Sequence, residues 1–292
     1  MFSTELFSQL IVGLSRTTIL FIVASGMSLI LGVLRIPNVA HGSLYMLGAF
    51  ISYTVVNFFG EGAYSFWLAL IIAPIIVAFF GFLLERGFFS YLYDREHLML
   101  LLLTFAFALI IGDLVKLIWG VEYKSLTTPE ILQGSAEIYG LPLPYYNLFL
   151  LAVGPIIAIF LWLFINKTKF GKIARASAVD REMVSAVGIN VSLVFAGTFV
   201  IGCFLAGLGG ALIAPIVNIS LGMDHSLIME VFLIVIIGGL GNIWGTLLGS
   251  LIFGLTQSLG ILIWPQFGII FPYLAVVVVL IFRPKGLLES TW

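Results

Sequence analysis

Again and again this chain stays apolar for about as long as a helix needs to cross a bilayer, and that length sets the fold class. A spanning helix takes about 20 mostly apolar residues. Nine segments reach or approach it: 10–34, 40–59, 64–84, 98–119, 148–165, 191–217, 227–240, 243–263 and 269–282. Segment 227–240 is too short to cross upright. Segment 40–59 and the two segments flanking 238–245 are rich in glycine, which predicts re-entrant or broken helices. Such backbone survives at membrane depth only where protein or water satisfies it. The expected fold is an all-α, polytopic membrane bundle of eight or nine spans with some half-helices. Composition agrees, with 61% hydrophobic and 9% charged residues. Soluble domains carry about a quarter charged residues, and a folded surface in water needs that polar cover. No stretch is polar enough to form a second domain, so residues 1–292 read as one membrane domain.

Lys and Arg orient the bundle, because they concentrate in cytoplasmic loops. The loop 166–190 holds Lys167, Lys169, Lys172, Arg175 and Arg181, and the tail holds Arg283 and Lys285. Both are expected inside. The loop 121–147 sets Glu122, Glu130 and Glu137 against Lys124 and is expected outside. Alternation then places 85–97 inside and the N-terminus outside, if 227–240 and 243–263 both cross. Met1–Ser8 contains no basic residue and the apolar run after it is long, so no cleaved signal peptide is expected.

Several functions are excluded by what the chain carries. A net charge of −1 gives no basic surface for nucleic acid. Cys203 is the single cysteine and has no partner for an intrachain disulfide; it reads as a small buried hydrophobe. His41, His97 and His225 form no metal-spaced cluster, so no metal site is expected. The glycines of 238–241 are followed by no Lys–Ser/Thr pair and build no phosphate loop, so any ATP-hydrolysing engine must lie on another chain.

Ionisable groups inside spans are costly and mark function by default. Arg16 is expected to snorkel to the outer interface. Asp113 and Lys116, three residues apart on one helical face, are expected to pair. Glu230, about one and a half turns into its segment, lines an outer vestibule or bonds a neighbouring helix. The most informative segment is 170–190, FGKIARASAVDREMVSAVGIN. It is too polar to span and too basic to lie outside. Its small and apolar residues recur at helical spacing (Ile173, Ala174, Ala178, Val179, Met183, Ala186, Val187), which predicts one short amphipathic helix on the cytoplasmic face. Basic amphipathic helices commonly rest on lipid. Here the apolar face lacks an aromatic anchor and Gly188 stops the helix, which favours a groove on a partner protein.

That segment resembles the coupling region of permeases in branched-chain amino acid ABC importers, a family that extends to urea, amide and sugar permeases. IPNVAHGSLYMLGAF at 36–50, VIIGGLGNIWGTLLGSLIFG at 235–254 and the ending RPKGLL at 283–288 resemble further family motifs, in order and in register. The resemblance implies that Ile173, Arg175, Ala178, Asp180, Ala186, Gly188 and Asn190 belong to the ATPase-coupling region. It also implies that Asn38, His41, Gly42, Gly48, Glu230, Gly238, Gly239, Gly241, Asn242 and Gly245 line the translocation pathway. The implied partners are a second permease, two cytoplasmic ATPases that bind the ATP, an extracytoplasmic binding protein and the lipid of a prokaryotic inner membrane. No cofactor is implied on this chain. After Glu85–Arg86 the family's Arg–Pro–Leu is replaced by Ser90–Tyr91–Leu92. The absence of the sugar permeases' Gly–Gly–Asn pattern from the coupling segment favours an amino acid, amide or urea substrate. The rival readings are a secondary transporter coupled through Asp113 or Glu230, and an intramembrane enzyme, for which no converging catalytic groups are found.

Overall fold

Apolar side chains drive the segments into helices, and small and hydroxylated residues decide how closely those helices meet. The computed structural model describes residues 2–60, 62–93, 95, 97–138 and 141–288. In chain order the helices are α1 (Phe2–Leu34), α2 (Ala40–Phe59), α3 (Ala63–Gly87), α4 (His97–Trp119), α5 (Tyr145–Lys167), α6 (Lys169–Val179), α7 (Arg181–Ala186), α8 (Val191–Ile213), α9 (Met223–Gly238), α10 (Ile243–Ile263) and α11 (Ile270–Phe282). A small hairpin of β1 (Ser135–Ile138) and β2 (Leu141–Pro144) precedes α5.

Among the described residues seven helices, α1 to α5, α8 and α10, are long and apolar enough to cross a membrane. α9 has 16 residues and α11 has 13. At about 1.5 Å per residue they reach roughly 24 and 20 Å, short of a hydrocarbon core of about 30 Å. The eight or nine spans expected thus resolve into seven of full length and two short helices. Glycine sets the limits of α9: Gly222 before it has φ +89° and Gly239 after it φ +101°.

α1 lies at the centre and is almost wholly buried along its apolar window. Its hydroxyls bond neighbouring backbones. Thr18 donates to the Leu150 carbonyl of α5 at 3.1 Å, and Thr17 lies 3.3 Å from the Ser250 carbonyl of α10. A broken helix over 40–59 is not observed. α2 is continuous, and the break lies upstream at 35–39, where Arg35 takes φ +57°. The glycines of α2 are spent on packing instead. A Cβ at Gly48 would stand 2.6 Å from the Gly207 carbonyl oxygen of α8, so the two backbones touch. On the outside, Ile71, Ile75 and Phe79 of α3 and Leu102, Phe105 and Leu109 of α4 are exposed, as lipid-facing residues should be.

The two ends differ in charge. At one end Arg35 donates to the Ala178 carbonyl (2.9 Å), Arg175 to Asn166 Oδ1 (3.0 Å) and Arg86 to the Ser192 hydroxyl (3.3 Å). The tail returns to this end, where Leu287 N–H bonds the Ile237 carbonyl at 2.7 Å. At the other end Lys124 and Ile219 exchange backbone bonds of 2.9 and 2.7 Å, tying the loop after α4 to the one after α8. The helix directions therefore gather the basic loops on one face, as the charge count predicts. The pairing expected within α4 is absent: both Asp113 and Lys116 are exposed and no ion pair joins them. Met1, Glu61, Asp94, Glu96, Tyr139, Gly140 and Glu289–Trp292 lie outside the described residues.

Candidate functional site

On the face away from the basic loops, α1, α2, α9 and the loop 213–223 enclose a cavity of about 480 Å³. Its apolar wall includes Ile19, Leu20, Tyr45, Ile213 and Leu227, and its polar wall Asn218, Ser220 and Ser226. Two opposite charges face it. Arg16 Nη2 stands 2.9 Å from Glu230 Oε1 and 3.1 Å from Oε2. The Glu230 side chain is 11% exposed and that of Arg16 is 44% exposed. The expectation that Arg16 snorkels does not include a partner: a carboxylate on α9 pairs with its guanidinium while the side chain stays partly exposed. This pairing also joins the two alternatives for Glu230, which both lines the cavity and bonds a neighbouring helix. Beside the cavity, Asp224 is buried in the first turn of α9, accepting from Ser43 at 2.7 Å and contacting His225 Nδ1 at 2.8 Å. The loop is shaped by Gly222 in the left-handed region, which lets the chain reverse from α8 into α9.

Of the residues expected along a pathway, Glu230 alone lines this cavity. The others face neighbouring helices of the same chain. Asn38 is buried without a side-chain hydrogen bond among the described residues, and His41 Nε2 lies 3.0 Å from the Val23 carbonyl. A Cβ at Gly42 would meet the Asp224 carbonyl at 2.8 Å, and Gly48 packs on Gly207. Gly238 and Gly245 press backbone to backbone where α9 turns into α10. In that turn Gly239 and Gly241 take φ of +101° and +74°, and Asn242 Oδ1 accepts from Gly245 N–H at 3.0 Å. Gly286 of the tail rests against Gly239.

On the basic face the single amphipathic helix expected over 170–190 is two helices, α6 and α7, divided at Asp180. The Asp180 carboxylate caps α7 by accepting from Met183 N–H at 2.9 Å, and Asn190 caps α8 through Leu193 N–H at 3.2 Å. A capping side chain starts a new helix, so the continuous pattern hid a break. The segment also has two sides. Ile173, Arg175 and Ala178 turn toward the chain's own body: Ile173 packs on the core, Arg175 bonds Asn166, and the buried Ala178 gives its carbonyl to Arg35. Val179, Met183 and Val187 are 68%, 63% and 73% exposed. Ala186 and Gly188 are exposed beside them, and Gly188, with φ +86°, ends α7 as predicted. A second cavity of about 270 Å³ lies next to this patch, between Arg35, Tyr93, Val179 and Arg181. Burial, and then the Glu85 carboxylate 2.9 Å away, holds the Tyr93 phenol above its ordinary value, so it donates as a neutral hydroxyl. The variant stretch Ser90–Tyr91–Leu92 begins inside the 3-10 turn Phe89–Tyr91, anchored by buried Phe89.

Reading the sequence alone missed Tyr45, Ser43, Asp224 and the loop 213–223. The cluster of Ser15, Arg16, Thr17 and Thr18 inside an apolar run was the available signal that a polar partner awaited α1.

Comparison with known proteins fits these features. A model of the family described as branched-chain amino acid transport system / permease component matches residues 9–282. The high-affinity branched-chain amino acid transport system permease protein BraD of Pseudomonas aeruginosa is 28% identical, covering 96% of this chain and 94% of that protein. The corresponding protein LivH of Escherichia coli K12 is 25% identical over the same shares. The probable LivH of Methanocaldococcus jannaschii is 25% identical over 83% of this chain and 77% of its own. No solved structure matches the chain. A bundle of spanning helices, matched almost from end to end by one family, leads to one conclusion: the chain is an integral membrane protein belonging to the family of permease components of branched-chain amino acid transport systems.

Proposed function

We propose that this chain forms half of the translocation pathway of an ATP-driven importer for branched-chain amino acids in a prokaryotic inner membrane. A second permease subunit completes the pathway. Two cytoplasmic ATPases bind and hydrolyse the ATP, and an extracytoplasmic binding protein delivers substrate to the face that carries the 480 Å³ cavity. The observation that carries the reading is the exposed patch of Val179, Met183 and Val187 on the basic face. Monomeric surfaces rarely leave such residues clustered without a partner. A helix pair anchored to its own bundle by Ala178 and Arg175, and apolar outward, is a lever between an ATPase and the spans. The test is reconstitution of the assembly in proteoliposomes with binding protein outside. Leucine uptake is expected to require ATP and to persist when ionophores collapse the gradients. Uptake driven by an ion gradient without the ATPases, or uptake of urea or a short amide in place of leucine, refutes the proposal.

A further inference from the structure

We propose that Arg16 and Glu230 together form a relay site for the head group of an α-amino acid zwitterion whose aliphatic side chain lies on the adjacent cavity wall. This rests on the importer reading and goes beyond it by naming the two side chains that select the charge pattern of the cargo.

The first argument is hydrogen-bond capacity. A guanidinium presents five N–H donors in a planar fork. In Arg16 only Nη2 is engaged, by both oxygens of Glu230. Among the described residues, Nε and Nη1 make no hydrogen bond, and the side chain, 44% exposed, faces the cavity. A strut between α1 and α9 accounts for the ion pair but leaves that open edge unexplained. A carboxylate docks on it through charge-assisted bonds without displacing Glu230.

The second argument is charge balance. A free anion on the open edge of Arg16 leaves one cation shared between two carboxylates, one of them the largely buried Glu230. A free cation on Glu230 does the converse to Arg16. An unmatched charge added beside a largely buried carboxylate offsets much of the gain from the new contact. A zwitterion brings carboxylate to Arg16 and ammonium to Glu230, so all four charges stay paired. The site therefore discriminates against simple anions and cations by what they would leave unmatched.

The third argument is shape. Beside the pair the wall is Ile19, Leu20, Ile213 and Leu227, and the volume of about 480 Å³ falls within the roughly 300–1,000 Å³ typical of small-molecule sites. An aliphatic side chain laid there removes apolar surface from water, while the head group stays at the polar end.

The test uses the whole assembly in proteoliposomes. Arg16→Met with Glu230→Gln removes both charges and orphans neither. The inference expects normal insertion, normal ATPase recovery and leucine uptake reduced roughly ten- to hundredfold, the worth of about one charge-assisted bond. Arg16→Glu with Glu230→Arg keeps the strut but reverses the polarity, and the same loss is expected. Wild-type uptake in either variant overturns the inference. A third measurement works with the charged pair intact: Ser226→Cys, on the cavity wall, is labelled with a maleimide. Leucine should slow labelling, whereas isopentylamine and 4-methylpentanoate should not; equal protection by all three, or by none, overturns it. A wild-type assembly that takes up no leucine instead refutes the importer reading, so the two failures are distinguishable.

Discussion

Replacing Met183 and Val187 together by serine should cut the affinity of the permease for its ATPase while leaving the permease itself folded. The two side chains are 63% and 73% exposed, so each buries about two thirds of its surface only when a partner arrives. Full burial of such a side chain is worth about 1.5–3 kcal/mol, so the pair contributes about 2–4 kcal/mol of docking energy. That corresponds to a loss of roughly 30- to 900-fold in affinity. Because the residues touch little of their own chain, thermal stability in detergent should move by less than about 0.5 kcal/mol. The assay titrates purified ATPase against permease in nanodiscs, reading bound ATPase by co-sedimentation and coupled turnover by substrate-stimulated hydrolysis. Ala178→Ser is the contrasting control: Ala178 is buried against its own bundle, so it should cost stability before it costs docking. ATPase affinity unchanged in the double variant would refute the docking assignment. A helix resting on lipid makes the opposite forecast for Ala186→Trp, since tryptophan strengthens interfacial anchoring. Docking predicts lost ATPase recovery with that bulky ring, and lipid contact predicts none.

Two further outcomes are expected. Cysteines at Lys172 and Glu130, both exposed, should react with an impermeant maleimide from opposite sides of the membrane; labelling from one side would invert the assignment of the basic face. Gly239→Leu places a side chain at φ +101° in the turn between α9 and α10, which costs about 1–3 kcal/mol. It should slow transport and lower the thermal midpoint, and normal values of both would show that the turn tolerates strain.

Most of the architecture was legible in the chain because a bilayer imposes a length and a polarity that sequence must obey. The apolar runs located the seven full-length spans, the Lys and Arg count agreed with the end at which the arginines gather, and Gly188 ended α7 where its position suggested. Motif order identified the family without any coordinates. Local pattern misled where its meaning depends on what lies opposite. The glycines of α2 suggested a break, yet Gly48 serves the close approach of Gly207, a residue about 160 positions away. The small residues of 170–190 read as one partner-facing helix, yet Asp180 divides them and Ala178 turns inward. Asp113 and Lys116 had helical spacing for a pair, and spacing permits a contact without supplying one. Arg16 and Glu230 stand 214 residues apart in the chain, so no periodicity joins them; the packing of α1 against α9 does. Span length and sidedness are local or additive properties of residues in lipid, whereas pairing, cavity and outward face arise from which helices meet, and that is fixed only when the bundle closes.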